Sequence, residues 1–212
     1  MISRAAFAAA SGHVYPASIA SQPSHASNRY NLTEIAGMTA LETPTRAESP
    51  EEALRQLMQT KPETLFEKAA EETGLTCRAA VEALPESMRR IAPGDTFIAA
   101  MDDIATWGDV TFIIHTNDGI FEITGQVPSG KVGHGYFNLM SPTGLHGHLR
   151  HERCAAIAFV ERPFMNKASA SVLFINADGG FMFKVFIGRD ENRALRADQL
   201  QRFRELAERL CR

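Results

Sequence analysis

Residues 110–124, VTFIIHTNDGIFEIT, decide the fold class. Two runs rich in β-branched and aromatic side chains flank the turn signal Asn117-Asp118-Gly119, and this pattern predicts two antiparallel strands joined by a tight hairpin. We expect positive φ angles in the turn, because Asp-Gly sequences adopt them readily. The first expectation is therefore a β-sheet with antiparallel neighbours.

Further strand-like runs lie on both sides of this hairpin. They are TFIAAM at 96–101, YFNLM at 136–140, AAIAFVE at 155–161, ASVLFIN at 170–176 and FMFKVFIG at 181–188. The last two flank Asp178-Gly179-Gly180, which is a second hairpin signal. Because the strands follow one another without helices between them, they predict a large antiparallel β-sheet of about seven or more strands.

Helix signals precede these strands. Ser49-Pro50-Glu51-Glu52 matches a capping box with proline at the first helical position. Residues 60–63 repeat the start signal, and Gly74 stands where a left-handed residue ends a second helix. Thr76 is placed to cap a third helix, which Pro85 ends. Three helices are expected in this part of the chain.

The chain closes with another helical pattern. Apolar side chains recur every three or four residues within 196–211, which predicts an amphipathic C-terminal helix. The prediction is one α+β domain over residues 49–212. It has N-terminal helices at 49–90, the antiparallel sheet at 95–188 and this last helix.

Residues 1–48 differ from the rest in composition. The first part is rich in alanine and serine and has no acidic residue before Glu34. We interpret the segment as a disordered tail or a mis-called start, with Met38 as an alternative beginning. His13 and His25 are therefore not counted as candidate ligands.

Charge and cysteine usage exclude several classes of protein. The formal net charge is -3, so no basic excess favours nucleic acid or an anionic membrane surface. Cys77, Cys154 and Cys211 are far apart and form no C-x-x-C pair, which argues against a disulfide framework. No apolar run reaches the roughly 18 residues of a membrane-spanning helix. A reducing cytoplasm is the expected compartment.

Histidines are concentrated in one stretch. Five of the seven histidines lie within 37 residues that also contain Tyr136: His115, His134, His146, His148 and His151. Imidazole nitrogen and phenolate oxygen both ligate haem iron. Nearby apolar side chains would offer a surface for a porphyrin: Phe137, Leu139, Met140, Phe164 and Met165.

Two other classes of site are also open, one on the same histidines and one in the N-terminal helices. His146-x-His148-x-x-His151-x-x-Cys154 offers four ligands with spacings close to those of zinc sites. Residues 65–84 imitate a DNA-binding helix-turn-helix. However, residues 51–88 carry eight acidic and four basic side chains, so phosphate neutralisation would be poor.

Several motifs that stand in order resemble one known family. They are WGDVTFIIHT (107–116), GHGYFNL (133–139), GHLR (147–150), ERPFM (161–165), ASVLFIN (170–176) and FKVFIGRD (183–190). Together they resemble the HutX/ChuX haem-utilisation carriers of bacteria, which are single-module relatives of ChuS/HemS. The resemblance runs from about residue 51 to the C-terminus. One departure is Asn166, where relatives commonly have glycine.

The resemblance implies a set of haem ligands. His115 and His148 match the family's haem-associated histidines, and Tyr136 matches a proposed axial ligand. The haem iron is accordingly expected on Tyr136 or on His115/His148. His134, two residues before Tyr136, would lie on the same strand face as that phenol and act as its partner if the segment is extended.

Other residues are expected to contact the porphyrin. Phe164 and Met165, with Pro163 before them, resemble a family segment near the porphyrin or the dimer contact. Arg150 and Arg162 are candidates for charge-assisted hydrogen bonds to the propionates.

The resemblance also implies the function. It predicts a cytoplasmic haem carrier rather than an enzyme, which takes up haem and passes it to a haem-degrading enzyme. A homodimer resembling the two-module ChuS/HemS fold is expected, with no nucleic-acid or membrane partner. The alternatives are a haem-degrading enzyme of the ChuS/HemS type and a zinc or transition-metal protein that uses the cluster from His146 to Cys154.

Overall fold

Helices and strands alternate in blocks along the chain. The computed structural model describes residues 49–142 and 144–211, so the prediction for residues 1–48 falls outside the described residues. Within them the α-helices are α1 (Pro50–Thr60), α2 (Phe66–Thr73), α3 (Cys77–Glu82), α4 (Phe97–Ile104) and α5 (Ala197–Leu210). None of the described helices is long and apolar enough to cross a membrane.

The strands form two antiparallel sheets. Their bounds are β1 (Arg89–Pro93), β2 (Asp109–Thr116), β3 (Gly119–Gln126), β4 (Gly130–Gly133), β5 (Tyr136–Leu139), β6 (Gly147–Leu149), β7 (Cys154–Phe164), β8 (Lys167–Asn176) and β9 (Phe181–Phe186). The large sheet has the order β1-β7-β8-β9-β2-β3, and the small sheet has the order β4-β5-β6. The predicted α+β class, with N-terminal helices, a large antiparallel sheet and a C-terminal helix, is confirmed.

One predicted strand is a helix. The run TFIAAM at 96–101 was expected to be a strand, but it lies in α4. Phe97, Ala100, Met101 and Ile104 are all buried, and their spacing of three, four and seven residues is that of one helical face. Ile104, beyond the run itself, completes the helical spacing, so residues 96–101 alone do not reveal it.

Two predicted boundaries were also wrong. The segment expected to be helical up to residue 90 ends earlier, because β1 begins at Arg89 and pairs with β7. The second helix begins at Phe66 rather than after the start signal at 60–63, since Thr60 is still the last residue of α1. Gly74 does end that helix in the left-handed conformation, with φ of 69°.

The two predicted hairpins are present, but their turns differ. Gly179, between β8 and β9, has the expected positive φ, at 82°. Asn117 and Asp118 connect β2 to β3, and neither they nor Gly119 has a positive φ angle, contrary to expectation. Here the Thr116 hydroxyl accepts a hydrogen bond from the Asp118 backbone N–H, which supports the turn instead.

The predicted capping box starts α1. The Ser49 hydroxyl accepts a hydrogen bond from the Glu52 backbone N–H at 3.2 Å, and the Glu52 carboxylate accepts one from the Ser49 N–H at 3.0 Å. Both bonds satisfy backbone donors that have no partner inside the helix.

Replacement of Ser49 by alanine is expected to lower the free energy of unfolding by about 1 kcal/mol, because one of these N–H groups loses its acceptor. Urea denaturation of Ser49→Ala and wild type measures the difference. Ser49→Thr retains the hydroxyl and is the control. An equal loss in both variants would mean that the cap does not account for the effect.

The large sheet separates two hydrophobic cores. Helices α1, α2 and α3 pack on one face, where Ala158, Val160 and Leu173 are buried together with Leu54 and Phe66. The other face carries a larger core, to which α4, α5 and the small sheet contribute. Its largest side chains include Phe97, Phe112, Phe137, Phe159, Phe174, Phe183 and Phe203.

Candidate functional site

The outer face of the small sheet brings Tyr136 and His148 together. On β5, Phe137 and Leu139 are buried in the larger core, so the alternation of the strand turns Tyr136 and Asn138 outward. Asn138 pairs with His148 across β5 and β6. The rings of Tyr136 and His148 meet edge to face, with their centroids 5.9 Å apart.

Asn138 determines how His148 is held. Its side-chain Nδ2 donates to the backbone carbonyls of Lys131 and Gly133, at 3.0 and 3.1 Å. Its Oδ1 is therefore the acceptor for Nδ1 of His148, 2.6 Å away. This hydrogen bond places the proton of a neutral ring on Nδ1 and leaves Nε2 as the nitrogen with a free lone pair.

Arg150 extends the same outer face. It follows β6 directly, and its guanidinium carbon lies 5.9 Å from the centroid of the Tyr136 ring. Arg150 is exposed, so this cation is available to an anionic group bound beside the phenol. Tyr136, His148 and Arg150 thus form a polar surface with a phenol, an imidazole and a cation, which we call the outer-sheet surface.

His134 does not share a strand face with Tyr136, contrary to the prediction. The pairing of Gly133 with Tyr136 leaves His134 and Gly135 as a two-residue turn between β4 and β5. Both have positive φ angles, 54° and 79°. Glycine at the second turn position relieves the strain there. His134 is consequently exposed at the tip of the hairpin, next to the outer-sheet surface in sequence but not on its strand face.

His115 lies on the other side of the molecule. It is in β2, and the pairing of Ile113 with Lys184 of β9 puts Ile113 and His115 on the face of the large sheet that carries Lys184. That face packs against the N-terminal helices, whereas the small sheet packs on the opposite face. Within one copy, His115 and the outer-sheet surface are therefore separated by the large sheet.

Glu67 of α2 connects His115 to a buried lysine. Its Oε1 accepts a hydrogen bond from Nδ1 of His115 at 2.9 Å and also from Nζ of Lys184. The side chain of Lys184 is only 8% exposed. Burial tends to raise the pKa of Glu67, but the charge and hydrogen bond of Lys184 outweigh it and hold that pKa below its ordinary value. Glu67 is therefore ionised at neutral pH.

Phe164 and Met165 border an open groove on the face that carries His115. The groove has a volume of about 680 Å³, and Ile113, Phe186 and Arg196 also line it. Met165 and Asn166 form the two-residue turn between β7 and β8 with φ of 49° and 60°. Asparagine tolerates this conformation, so Asn166 is compatible with the turn. Met165 is 77% exposed.

Arg162 does not have the free guanidinium that a propionate partner needs. It donates to the backbone carbonyls of Pro62 and Thr64, and its guanidinium carbon lies 3.8 Å from the centre of the Phe66 ring. Burial lowers the pKa of Arg162 to about 10. The side chain fastens the loop before α2 to β7, so its role is structural.

The predicted zinc cluster is not assembled. No group of three or more His, Cys, Asp or Glu side chains within residues 49–142 and 144–211 is arranged to hold a metal ion. The Cys154 thiol is buried beside the Ala156 carbonyl, and burial raises its pKa to about 11. His148 is hydrogen-bonded to Asn138, and the ring of His151 lies against Phe97. The zinc alternative is therefore discarded.

Sequence reasoning missed Asn138, Glu67 and Lys184. Asn138 stands inside the quoted GHGYFNL motif, two residues after Tyr136, so strand alternation could have placed it on the same face. Glu67 and Lys184 are 48 and 69 residues away from His115 in the chain. No spacing rule connects them, because a helix and two strands must first pack together.

Comparison with known proteins assigns the chain to a family. The fold and these side chains define an α+β module with a half-buried phenol and an exposed imidazole, groups of the kind that ligate haem iron. Residues 90–206 match the family model for haem utilisation ChuX/HutX. The chain is 36% identical over 185 residues to the intracellular heme transport protein HutX of Vibrio cholerae, across 85% of this chain and 96% of that protein. The chain belongs to the ChuX/HutX haem-utilisation family.

Solved structures agree with this assignment. The heme-binding protein ChuX is 40% identical, with a TM-score of 0.69 over 74% of this chain and 98% of ChuX. The heme-degrading enzyme ChuS of Escherichia coli O157:H7 is more distant, at 15% identity and a TM-score of 0.60. That likeness covers 71% of this chain and 47% of ChuS and concerns the fold alone.

Proposed function

We propose that this chain is a haem carrier, which binds haem and hands it on without transforming it. One observation carries the proposal: 85% of the chain matches a curated intracellular heme transport protein at 36% identity. Carriage requires a ligand to the iron and an accessible site, but no catalytic group. The exposed imidazole of His148 and the half-buried phenol of Tyr136 support such a site.

The iron site is proposed on Tyr136 or on His115/His148, as the resemblance implies. Tyr136 and His148 support one site on the outer-sheet surface, with Arg150 beside it for a propionate. His115 supports a second position near the groove that Phe164 and Met165 border. His134, at the tip of the β4–β5 hairpin, is proposed to cover the edge of the first site.

The cellular context is part of the proposal. We propose that the protein acts in the cytoplasm as a homodimer resembling the two-module ChuS/HemS fold, and that a haem-degrading enzyme receives the haem. The half-length match to ChuS supports the dimer, because two copies of this module would supply the length of one such chain. Size-exclusion chromatography with light scattering tests the dimer at twice the mass of one chain.

Titration of the full chain with ferric haem is expected to give a saturable, stoichiometric complex with a stable visible spectrum. His115→Ala, Tyr136→Phe and His148→Ala are compared with wild type. Loss of an iron ligand should raise the Kd by at least about 10-fold, which corresponds to about 1.4 kcal/mol, and change the ligand-sensitive bands. His146→Ala is the matched control, since His146 is exposed like His148 and its Nδ1 contacts the nearby Gly144 carbonyl.

The pattern of losses identifies the site. The large sheet separates His115 from His148 within one copy. If only one of His115→Ala and His148→Ala weakens haem affinity, the site lies within one copy. If His115→Ala and His148→Ala weaken haem affinity equally, two copies of the chain build one site. Bleaching of the spectrum under reductant and oxygen would contradict the carrier and favour the ChuS-type enzyme. Absence of saturable binding would refute haem carriage altogether.

A further inference from the structure

We propose that Glu67 is a positioning residue for His115, which fixes the ring so that Nδ1 carries the proton and Nε2 is the nitrogen available to iron. The iron part of this inference rests on the proposed haem site. The orientation of the ring and its tautomer rest on the contacts of Glu67 alone, and they are testable without haem.

The hydrogen bond itself assigns the tautomer. An ionised carboxylate only accepts hydrogen bonds, so Nδ1 of His115, 2.9 Å from Oε1 of Glu67, must be the donor. Nε2 of a neutral ring is then left with its lone pair, and it makes no hydrogen bond to any residue that the structure describes. The side chain of His115 is 22% exposed, so a ligand can reach it.

Lys184 keeps the carboxylate in place. Its ammonium group donates to the same Oε1 atom that His115 uses, from a strand position that is almost fully buried. A lysine buried in this way needs a counter-charge, and Glu67 supplies it. Glu67 thus projects from α2 toward the large sheet, where Lys184 of β9 and His115 of β2 both donate to its carboxylate.

Glu67 is not arranged as a simple ion pair would be. Its second oxygen, Oε2, is buried and has no hydrogen-bond partner among the residues that the structure describes, whereas Oε1 accepts two hydrogen bonds. Concentrating both donors on Oε1 directs the carboxylate at His115, as carboxylates do when they orient metal-binding histidines.

Nitrogen-15 NMR of the histidine side chains in the full-length, haem-free protein tests the inference directly. At a pH at which the ring is neutral, His115 in wild type is expected to carry its proton on Nδ1. Glu67→Asp retracts the carboxylate, and Glu67→Leu combined with Lys184→Met removes both buried charges together with the hydrogen-bond acceptor of His115. In both variants the ring should lose its fixed tautomer. Glu72→Gln is the control, because Glu72 lies on the same helix and pairs with the exposed Lys68.

Haem titration of the same variants gives the second readout. Loss of a residue that orients an iron-binding histidine typically weakens metal affinity by about 10- to 100-fold. We expect about 10-fold for both Glu67 variants and no change for Glu72→Gln. Circular dichroism confirms that each variant is folded before titration.

The two readouts separate this inference from the proposed haem site. A wild-type ring protonated on Nε2, or a tautomer unchanged in folded Glu67 variants, would overturn the positioning role. A tautomer that shifts while haem affinity stays constant would uphold the orientation by Glu67 and refute iron ligation by His115. If the His115 tautomer and the haem affinity both change, the positioning role and iron ligation by His115 are both supported.

Discussion

Phe97→Ala is expected to lower the free energy of unfolding by about 3–5 kcal/mol. Phe97 is 1% exposed and meets the rings of Phe137, Phe174 and Phe183 edge to face, with centroids 5.2 to 6.1 Å apart. Its removal leaves a cavity where α4, the large sheet and the small sheet meet. Surrounding rings on rigid strands cannot collapse fully into that space.

Chemical denaturation monitored by circular dichroism measures this loss. Ile98→Ala is the matched control, because Ile98 is the next residue of α4 and is 37% exposed, so we expect a change below about 1 kcal/mol. Hydrogen exchange should additionally show faster opening of β5 in Phe97→Ala, since Phe137 loses its ring partner. A loss below 1 kcal/mol in Phe97→Ala would contradict the packing described here.

Lys184→Met is expected to destabilise the fold by about 2–3 kcal/mol. The substitution leaves the Glu67 carboxylate without its ammonium partner, and breaking a fully buried pair costs about 3–5 kcal/mol. We expect a smaller loss of stability than for a fully buried pair, because the Glu67 side chain is 24% exposed and keeps some contact with water. Glu67→Gln combined with Lys184→Met should recover most of the loss, because no unpaired charge then remains.

The pH dependence of stability provides the check on this pair. The folded-state pKa of Glu67 lies below its ordinary value of 4.5, so its contribution is fully present above pH 4.5. The contribution is lost as the pH falls through the lower folded pKa. The difference in unfolding free energy between wild type and the double variant should therefore decrease as the pH falls below 4.5. If the difference in unfolding free energy does not change below pH 4.5, Glu67 is not stabilised as a carboxylate.

Local patterns predicted most elements of the fold. The runs that became β2, β3, β7, β8 and β9 are rich in β-branched and aromatic residues and are bounded by turn signals, so each could be recognised in isolation. The capping box at Ser49 and the left-handed Gly74 were likewise local signals. The error at residues 96–101 arose because a short apolar run does not distinguish a strand from a buried helix.

The candidate site was only partly predictable. Strand alternation was sufficient to place Tyr136 outward, and the motifs pointed to His148 as well. The prediction for His134 failed because it assumed an extended segment, whereas the His134-Gly135 pair forms a turn. Arg162 was expected to reach a propionate, but it is half-buried against Phe66. Sequence spacing could not predict this contact, because its partner Pro62 lies 100 residues earlier in the chain.

The amino-acid sequence by itself determined the α+β class, the hairpin order and the chemical nature of the candidate ligands, because propensity, turn geometry and side-chain chemistry are local properties. Tertiary structure alone decided which of these groups meet. The six-stranded sheet puts His115 on one face and Tyr136 with His148 beyond the other, and packing of α2 against β2 and β9 brings Glu67 to His115 and Lys184. Such contacts depend on which faces pack together, and sequence spacing does not encode that information.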